Sequence, residues 1–368
     1  MAPKKPTILC CAKHPVNFAM FEPVYRLISD DTRVDVRVST GRYRYKTFWW
    51  VEPRDKELTN DKVFHAFNLN KRQIVRTSCH DKHPYEVYVT SNGDLKMRPP
   101  NSKVSVQIFH GVSFRNFAIN EKLLQFDKLF FPGPYHFRQF INKGYLKEGD
   151  AKAELMGMPK LDCLVDGSIK REDVLRDLGL DPKKPVVLWC PTGAVNNSFD
   201  RYGKSVVDAV AAAGCQLILK LHDHPHGRPV EESRAEAKSY FGPDARLGEY
   251  PNVAIYLVAA DLLLSDASSV AYEFTVRDKP IIFLDVPELL QFRAGMEKSN
   301  MDLETHGRKS GLIVGDMKEL PDAIKSELAN PERLSAERQK TANDIFYKPG
   351  TATVRMRDRL FELAGVKD

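Results

Sequence analysis

Residues 260–274 read ADLLLSDASSVAYEF, a short apolar run that ends in Ser265-Asp266 and continues into a pattern with helical spacing. A bounded run of about four to eight apolar residues is typical of a strand that is buried on both faces. The Ser268-Ser269 pair that follows is of the type that opens helices. A buried strand leading directly into a helix is the repeating unit of a parallel sheet, so this stretch predicts an α/β fold.

The same alternation recurs along the chain, with helical patterns such as residues 17–28 between the apolar runs. Strands are predicted to begin at Thr7, Val34, Gln73, Val104, Lys128, Ala153, Val186, Gln216, Val253, Ala260, Pro280 and Gly311. Residues 85–103 depart from the pattern, because they alternate around Asn92-Gly93, a pair that favours a tight turn and predicts a β-hairpin excursion. The remainder predicts two Rossmann-like, doubly wound sheets.

The chain length predicts two domains. It has 368 residues, whereas a single hydrophobic core stops growing near about 250 to 300 residues. A charged, turn-rich stretch at residues 166–185 marks the boundary between them. We therefore predict an N-terminal domain over 1–168, a C-terminal domain over 169–345 and a final helix within 346–368.

Composition indicates a soluble globular protein, with 42% hydrophobic and 28% charged residues. The 55 basic and 49 acidic residues give a net charge of +6, which favours anionic partners, but no basic stripe with interleaved aromatics indicates nucleic acid. No apolar run has the length of a signal peptide core or a membrane span. Six cysteines without CxxC spacing indicate reduced thiols in a cytoplasmic protein.

Polar residues at the carboxyl ends of the predicted strands are the candidate site, because ligands of open parallel sheets bind there. In the first domain the strand at Val104 runs into His110-Gly111. Histidine titrates near neutrality and can act as a general base, although a structural histidine fits as well. Gly111 would allow a ligand to approach the backbone closely. His14 follows the first strand and is a further candidate.

In the second domain the strand at Gln216 ends in Lys220 and His222, with His224 and His226 beyond them. Residues 220, 222 and 224 would share one face if extended. Pro225 breaks that extension, and no carboxylate completes a metal site, so none is predicted. His222 is assigned a cationic or acid–base role, and His224 and His226 fit as solvated loop residues.

Ser268 and Ser269 open the helix that follows Asp266. Helix N-termini bind phosphate through unpaired N–H groups, while simple capping explains the same residue types. Glu273 on this helix could reach a ribose or the helix cap. Neither GxxxxGK[ST] nor GxGxxG occurs in the chain, which argues against a P-loop enzyme and a dinucleotide-dependent oxidoreductase.

Taken in order, these segments resemble the CDP-glycerol glycerophosphotransferase family of teichoic-acid synthesis. The His-Gly, Cys-Pro-Thr, Lys-x-His and Asp-x-Ser-Ser segments follow one another as in that family. GMPKLD at residues 157–162 is similar to its Gly-x-Pro-x-x-Asp motif, and Gly350, Ala352 and Arg355 match its Asp-Gly-x-Ala-Ser-x-Arg motif. The resemblance covers residues 104–360.

The resemblance implies a GT-B architecture, with two domains facing a cleft and the final helix crossing back to the N-terminal domain. It implies transfer of a polyol phosphate from a CDP-activated donor to a hydroxyl of a polymer or lipid-linked acceptor, with release of CMP. His110 would activate the acceptor hydroxyl, and His222 would stabilise the pyrophosphate or protonate the leaving phosphate. The groups implied to bind nucleotide and phosphate are Gly111, Thr192, Lys220, Asp266, Ser268 and Ser269, with Arg115, His14 and Glu273 as additional candidates.

Departures from the family pattern leave two alternatives open. Val112-Ser113 replace the family's Thr-Pro, and Asp223-His224 precede Pro225. A nucleotide-sugar glycosyltransferase or epimerase on the same architecture, or an inactive scaffold, would fit these changes. A lipid-linked acceptor implies peripheral association with the inner face of the membrane, where the basic aromatic stretch at residues 42–50 could rest on anionic lipid. The sequence requires no cofactor and leaves the use of a divalent metal open.

Overall fold

A computed structural model of the protein describes residues 5–39, 65–75, 77–93, 95, 97–109, 111, 119–222, 229–294 and 305–367. These residues fall into two compact units. The first unit takes its residues from 1–110, 118–162 and 346–368, and the second from 111–117 and 163–345. Each unit contains one six-stranded sheet in which all neighbouring strands are parallel. The predicted α/β class, with two doubly wound sheets, is confirmed.

The first unit is built from strands β1 (Thr7–Cys11), β2 (Asp35–Ser39), β3 (Tyr85–Thr90), β4 (Ser102–Ile108), β5 (Lys128–Phe131) and β6 (Ala153–Leu155). Their order across the sheet is β2-β1-β3-β4-β5-β6. Its first helices are α1 (Pro15–Ala19), α2 (Glu22–Ile28) and α3 (Pro134–Asn142). Strand β1 is buried at every position, as expected for a strand that is covered on both faces.

The first sheet overturns two of the sequence predictions. Residues 85–90 are not a hairpin arm, because β3 pairs in parallel with both β1 and β4 in the interior of the sheet. Gly93, with a φ of +76°, lies beyond the end of β3 in a loop that leads to a parallel neighbour. The described residues of the stretch at Gln73 belong to no strand, and Ile74 makes an isolated bridge to Val38.

The second unit is built from strands β7 (Val186–Cys190), β8 (Gln216–Leu219), β9 (Ala245–Leu247), β10 (Leu262–Ser265), β11 (Ile281–Leu284) and β12 (Leu312–Val314). Their order is β12-β11-β10-β7-β8-β9. The helices are α4 (Arg171–Leu178), α5 (Ser198–Ala212), α6 (Val230–Tyr240), α7 (Ala254–Ala259), α8 (Val270–Thr275), α9 (Pro287–Ala294), α10 (Leu320–Ala329) and α11 (Ser335–Ile345). The strand predicted at Val253 is wrong, because these residues form α7, and the short β9 was not predicted.

Strands β7 and β10 lie side by side, but the chain continues from β7 towards β8 on one side and from β10 towards β11 on the other. Their carboxyl ends therefore form the topological switch point of the second sheet, where ligands of doubly wound folds bind. The equivalent point of the first sheet lies between β1 and β3.

The last helix, α12 (Ala352–Ala364), belongs to the first unit, where it packs against α2, β1 and β3. Asp162, which is 4% exposed, anchors its start. The Asp162 carboxylate accepts hydrogen bonds from the backbone N–H groups of Gly350 at 2.7 Å, Ala352 at 3.2 Å and Thr353 at 2.7 Å. A buried carboxylate thus occupies the N-terminus of α12, where negative charge is favoured.

Gly157 permits a close approach at the same place. It has a φ of +81°, and a Cβ there would lie 2.5 Å from the carbonyl oxygen of Tyr347. Arg355 donates to the carbonyl of Met156 at 2.6 Å and lies over the Tyr347 ring. The Gly-x-Pro-x-x-Asp segment and the segment from Gly350 to Arg355 therefore fold against each other, which gives both motifs a structural role.

We predict that Glu154 makes the stability of the first unit sensitive to acid. Its carboxylate binds Arg359 of α12 through two hydrogen bonds, at 2.7 and 2.9 Å, and Lys128 at 2.9 Å. Desolvation raises the pKa of Glu154, but the bonds from Arg359 and Lys128 outweigh it and hold the pKa below the ordinary value of 4.5. Because the folded pKa is the lower one, this stabilisation is complete above about pH 4.5 and is lost as the pH falls through the folded pKa.

Glu154→Gln should therefore have a lower free energy of unfolding at neutral pH. When urea unfolding is repeated at a series of pH values, its free energy of unfolding should fall less steeply towards acid pH than that of the unaltered protein. Glu148→Gln is the matched control, because Glu148 is exposed. Acid limbs of equal slope in Glu154→Gln and the unaltered protein would contradict this prediction.

Candidate active site

Thr192 and Asp266 meet at the switch point of the second sheet. Thr192 follows β7, and its backbone N–H donates to Oδ1 of Asp266, which follows β10, at 2.9 Å. Asp266 also accepts hydrogen bonds from the N–H groups of Ala267 at 2.6 Å and Ser198 at 2.9 Å. Burial raises the pKa of the Asp266 carboxyl, and these backbone donors act against that rise. The carboxylate is therefore bonded to the backbone of three segments.

Lys220 follows β8 and provides a buried cation, with 6% exposure. Its Nζ donates to the carbonyl of Leu221 at 3.2 Å. The groups whose charges act on Cys190, at the end of β7, include Lys220. Burial raises the pKa of the Cys190 thiol, the positive charge of Lys220 lowers it, and the carboxylates of Glu273 and Asp266 raise it. One cation and two carboxylates thus lie around the end of β7.

His222 lies two residues beyond Lys220 and is exposed. Its ring packs against the backbone of Gly193 in the loop after β7, since a Cβ at Gly193 would lie 2.7 Å from both Cγ and Nδ1 of the ring. Contacts between real Cβ atoms and other heavy atoms are longer than this, so only glycine leaves room for the ring. The loop after β7 therefore sets the position of His222.

Ser268 and Ser269 lie immediately before α8. The Oγ of Ser268 accepts a long hydrogen bond, 3.4 Å, from the N–H of Val270. Ser269 occupies the N-cap position, but its side chain makes no capping hydrogen bond. A Cβ at Gly111 would lie 3.6 Å from the Oγ of Ser269. The structure therefore brings Gly111 and Ser269 together, and helix capping does not account for the Ser269 hydroxyl.

Two buried histidines were not singled out by sequence. The Nε2 of His306 lies 2.8 Å from Oδ2 of Asp344, and its ring makes an edge contact with Tyr272 of α8. The ring of His136 lies 4.4 Å from that of Phe109, just beyond the end of β4. Both support elements that carry candidate residues. No sequence signal separates them from surface histidines, because burial depends on long-range packing.

In the first unit, His14 follows β1 and immediately precedes α1. It therefore lies at the switch point between β1 and β3. The loops after these two strands are tied together, because the N–H of Lys13 donates to Oδ1 of Asn92 at 3.0 Å. His14 is placed where the sequence analysis expected it, at a strand end.

Some candidates lie outside the described residues, namely His110, Arg115, His224, His226 and the stretch at 42–50. Among the residues that are described, no group of three or more His, Cys, Asp or Glu side chains could hold a metal ion. No helix in the same part of the chain is long and apolar enough to cross a membrane.

Two parallel six-stranded sheets, with Thr192, Lys220, His222 and a serine pair at strand ends of the second, define a GT-B-like α/β protein with a polar site at a switch point. Comparison with models of known protein families identifies the family within this class. The chain belongs to the CDP-Glycerol:Poly(glycerophosphate) glycerophosphotransferase family, whose model matches residues 34–362. This confirms the resemblance found in the sequence and extends it towards the N-terminus.

Comparisons with individual proteins agree with this family. The chain is 25% identical over 185 residues to the teichoic acid glycerol-phosphate primase of Bacillus spizizenii strain W23, a match that covers 49% of this chain and 42% of the primase. The match thus spans less than half of that relative.

Solved structures show the same fold at lower identity. A variant of the wall teichoic acid polymerase TagF, soaked with CDPG, has 15% identity and a TM-score of 0.70, covering 98% of this chain and 89% of that one. UDP-GlcNAc 2-epimerase from Neisseria meningitidis, bound to UDP-GlcNAc, has 12% identity and a TM-score of 0.57, covering 98% and 100%. Both likenesses concern the fold alone.

Proposed function

We propose that the protein transfers a polyol phosphate, in the first instance glycerol phosphate, from a CDP-activated donor to a hydroxyl of a cell-surface polymer or lipid-linked acceptor, and releases CMP. Membership of the family supports the reaction class. The observation that carries the site assignment is that Lys220 and His222 follow β8 and Ser268-Ser269 follow β10, the two strands on either side of β7 in one parallel sheet. Phosphate groups bind at this edge in doubly wound folds.

In the proposed reaction, the acceptor oxygen attacks the phosphorus that bears the glycerol. The bond from that phosphorus to the bridging oxygen of the diphosphate breaks, and CMP leaves with the bridging oxygen. His110, as the general base, takes the proton of the acceptor hydroxyl, while His222 donates a proton or a hydrogen bond to the departing phosphate. One P–O bond forms as another breaks.

Phosphoryl transfer depends on positioning and on neutralising the charge of the phosphates. Lys220 supplies a cation close to the switch point, with Arg115 as a further cation. The hydroxyls and leading N–H groups at Ser268 and Ser269 supply donors to phosphate oxygens. Gly111 allows the donor to approach Ser269, and Glu273 would contact the ribose. No resident cofactor is part of this proposal, and a divalent ion is left open.

An assay of CMP release tests the proposal. CDP-glycerol with a glycerol-phosphate primer is expected to release CMP, and CDP-glycerol and CDP should raise the melting temperature more than UDP or GDP compounds do. A ligand at a hundredfold excess over its Kd stabilises the folded protein by about 2.7 kcal/mol, which is an easily measured shift. CDP-ribitol, run in parallel, distinguishes the polyol.

The other outcomes separate the alternatives. A preference for UDP compounds without CMP release would indicate an epimerase or a glycosyltransferase. The absence of any nucleotide binding would indicate an inactive scaffold. The proposal includes peripheral association with the inner face of the membrane through residues 42–50. Flotation with anionic liposomes tests the membrane association, and a lack of liposome binding at low salt would overturn it.

A further inference from the structure

Asp266 links three segments that are distant in sequence. It is 2% exposed. Its Oδ1 accepts from the N–H of Thr192 after β7, and its Oδ2 accepts from the N–H of Ser198 at the start of α5. The third donor, the N–H of Ala267, belongs to the loop that carries Ser268. The carboxylate therefore fixes the loop after β7 and the start of α5 to the loop after β10.

The backbone N–H groups at the N-terminus of α5 are bonded within the protein, and Asp266 is one of their acceptors. The N–H of Ser198 is bonded to Asp266, and those of Phe199 and Asp200 are bonded to Oδ1 of Asn197. The N–H of Asn197 itself is bonded to the Asp200 side chain. A helix that starts at a switch point commonly offers these groups to phosphate. Here the protein's own side chains take all four, and Asp266 fills the place of the anion.

The segment held by Asp266 is also the one that holds His222. Thr192, whose N–H is bonded to Asp266, is followed directly by Gly193, whose backbone packs against the His222 ring. The ring cannot move towards this loop, because even a single Cβ at Gly193 would lie 2.7 Å from it. The position of the ring therefore follows the position of Thr192-Gly193, which depends on Asp266.

We propose that Asp266 is a positioning residue for His222, acting through Thr192-Gly193, and that it is not a ligand of the donor. Its effect on catalysis rests on the proposed function. Its effect on the placement of the ring does not, so the two can fail separately.

The test compares Asp266→Asn with Asp261→Asn. Asp261 is a control at the other end of the same strand, where its carboxylate accepts the N–H of Val186 at the start of β7, 3.0 Å away, and also binds Arg171 and Lys279. Asparagine keeps the shape of Asp266 but places an NH2 group against one of its backbone donors. The ring signals of His222, assigned with a His222→Gln variant, are followed by NMR in the complete protein.

We expect the His222 ring signals to shift in Asp266→Asn and to stay in place in Asp261→Asn. If the transferase activity is confirmed, kcat should fall by about 10- to 100-fold in Asp266→Asn, with the Kd for CDP changed less than about threefold. In a His222→Ala background, the same substitution should lower kcat no further. Ring signals that coincide in Asp266→Asn and the unaltered protein would overturn the proposal, whether or not the protein is a transferase.

Gly193→Ala is the second variant, in case Asp266→Asn does not fold. It leaves the Asp266 hydrogen bonds in place but inserts a methyl group where the ring packs. The His222 signals should shift, and kcat should fall while the Kd for CDP changes little. Unchanged ring signals in Gly193→Ala would show that this loop does not position His222, and would overturn the proposal as well.

Discussion

His222→Ala is expected to lower the turnover of CDP-glycerol by about 10²- to 10⁴-fold, the contribution of a positioned acid–base group. The free energy of unfolding should stay within about 0.5 kcal/mol of the unaltered protein, because the side chain is exposed and its loss leaves no buried cavity. Affinity for CDP should fall much less than turnover does, because Lys220, Ser268 and Ser269 remain to bind its phosphates in the proposal. CMP release, CDP titration and chemical denaturation measure the three quantities.

His110→Ala is expected to give the same loss of turnover, because the reaction needs a base at the acceptor as well as a group at the leaving phosphate. His83→Ala is the matched control. His83 is exposed and lies just before the amino end of β3, away from the carboxyl ends where the candidate residues lie, so its removal should leave turnover and stability unchanged. Full turnover in both His110→Ala and His222→Ala would remove the catalytic assignment of the two histidines.

Most strands of both sheets were predictable because each is a short apolar run between polar residues. Strands β7, β10 and β11 are buried at every position. Residues 254–259 have the same apolar character but form α7, where Oδ1 of Asn252 accepts the N–H of Ala254 and helps to start the helix. Composition cannot separate a short buried helix from a buried strand. Strand β3 was wrongly predicted as part of a hairpin, because an Asn-Gly pair indicates a turn but not which strands the turn connects.

The candidate residues were predictable by type and by their position at strand ends, but their partners were not. Asp266 contacts the N–H of Thr192, 74 positions away, because β10 lies beside β7. The order of strands in a sheet is set by packing, and no local sequence pattern predicts it. The same holds for Gly193, which has no distinguishing neighbour in the sequence and becomes informative only beside His222. Strand-end Asp residues look alike whether they bind a ligand or the backbone.

Asp162→Ala is expected to lower the free energy of unfolding of the first unit by about 3 to 5 kcal/mol. The N–H groups of Gly350, Ala352 and Thr353 would lose their acceptor, each at a cost of about 1 to 3 kcal/mol, and water would recover part of it. The start of α12 would also lose the negative charge that its dipole favours. Urea unfolding measures the loss, and limited proteolysis should show earlier cleavage near the start of α12.

Asp162→Asn separates hydrogen bonding from charge. Its Oδ1 can still accept from Gly350 and Ala352, but its NH2 group would face the N–H of Thr353, so we expect a smaller loss than in Asp162→Ala. Asp166→Ala is the surface control, because Asp166 is exposed and accepts a hydrogen bond from the nearby Ser168. If Asp162→Ala resists urea and protease as well as Asp166→Ala does, the Asp162 carboxylate does not hold α12. If Asp162→Ala is less resistant than Asp166→Ala, the Gly-x-Pro-x-x-Asp motif attaches the last helix to the first sheet. A loss of activity in Asp162→Ala then reports a change in the fold and not in the chemistry.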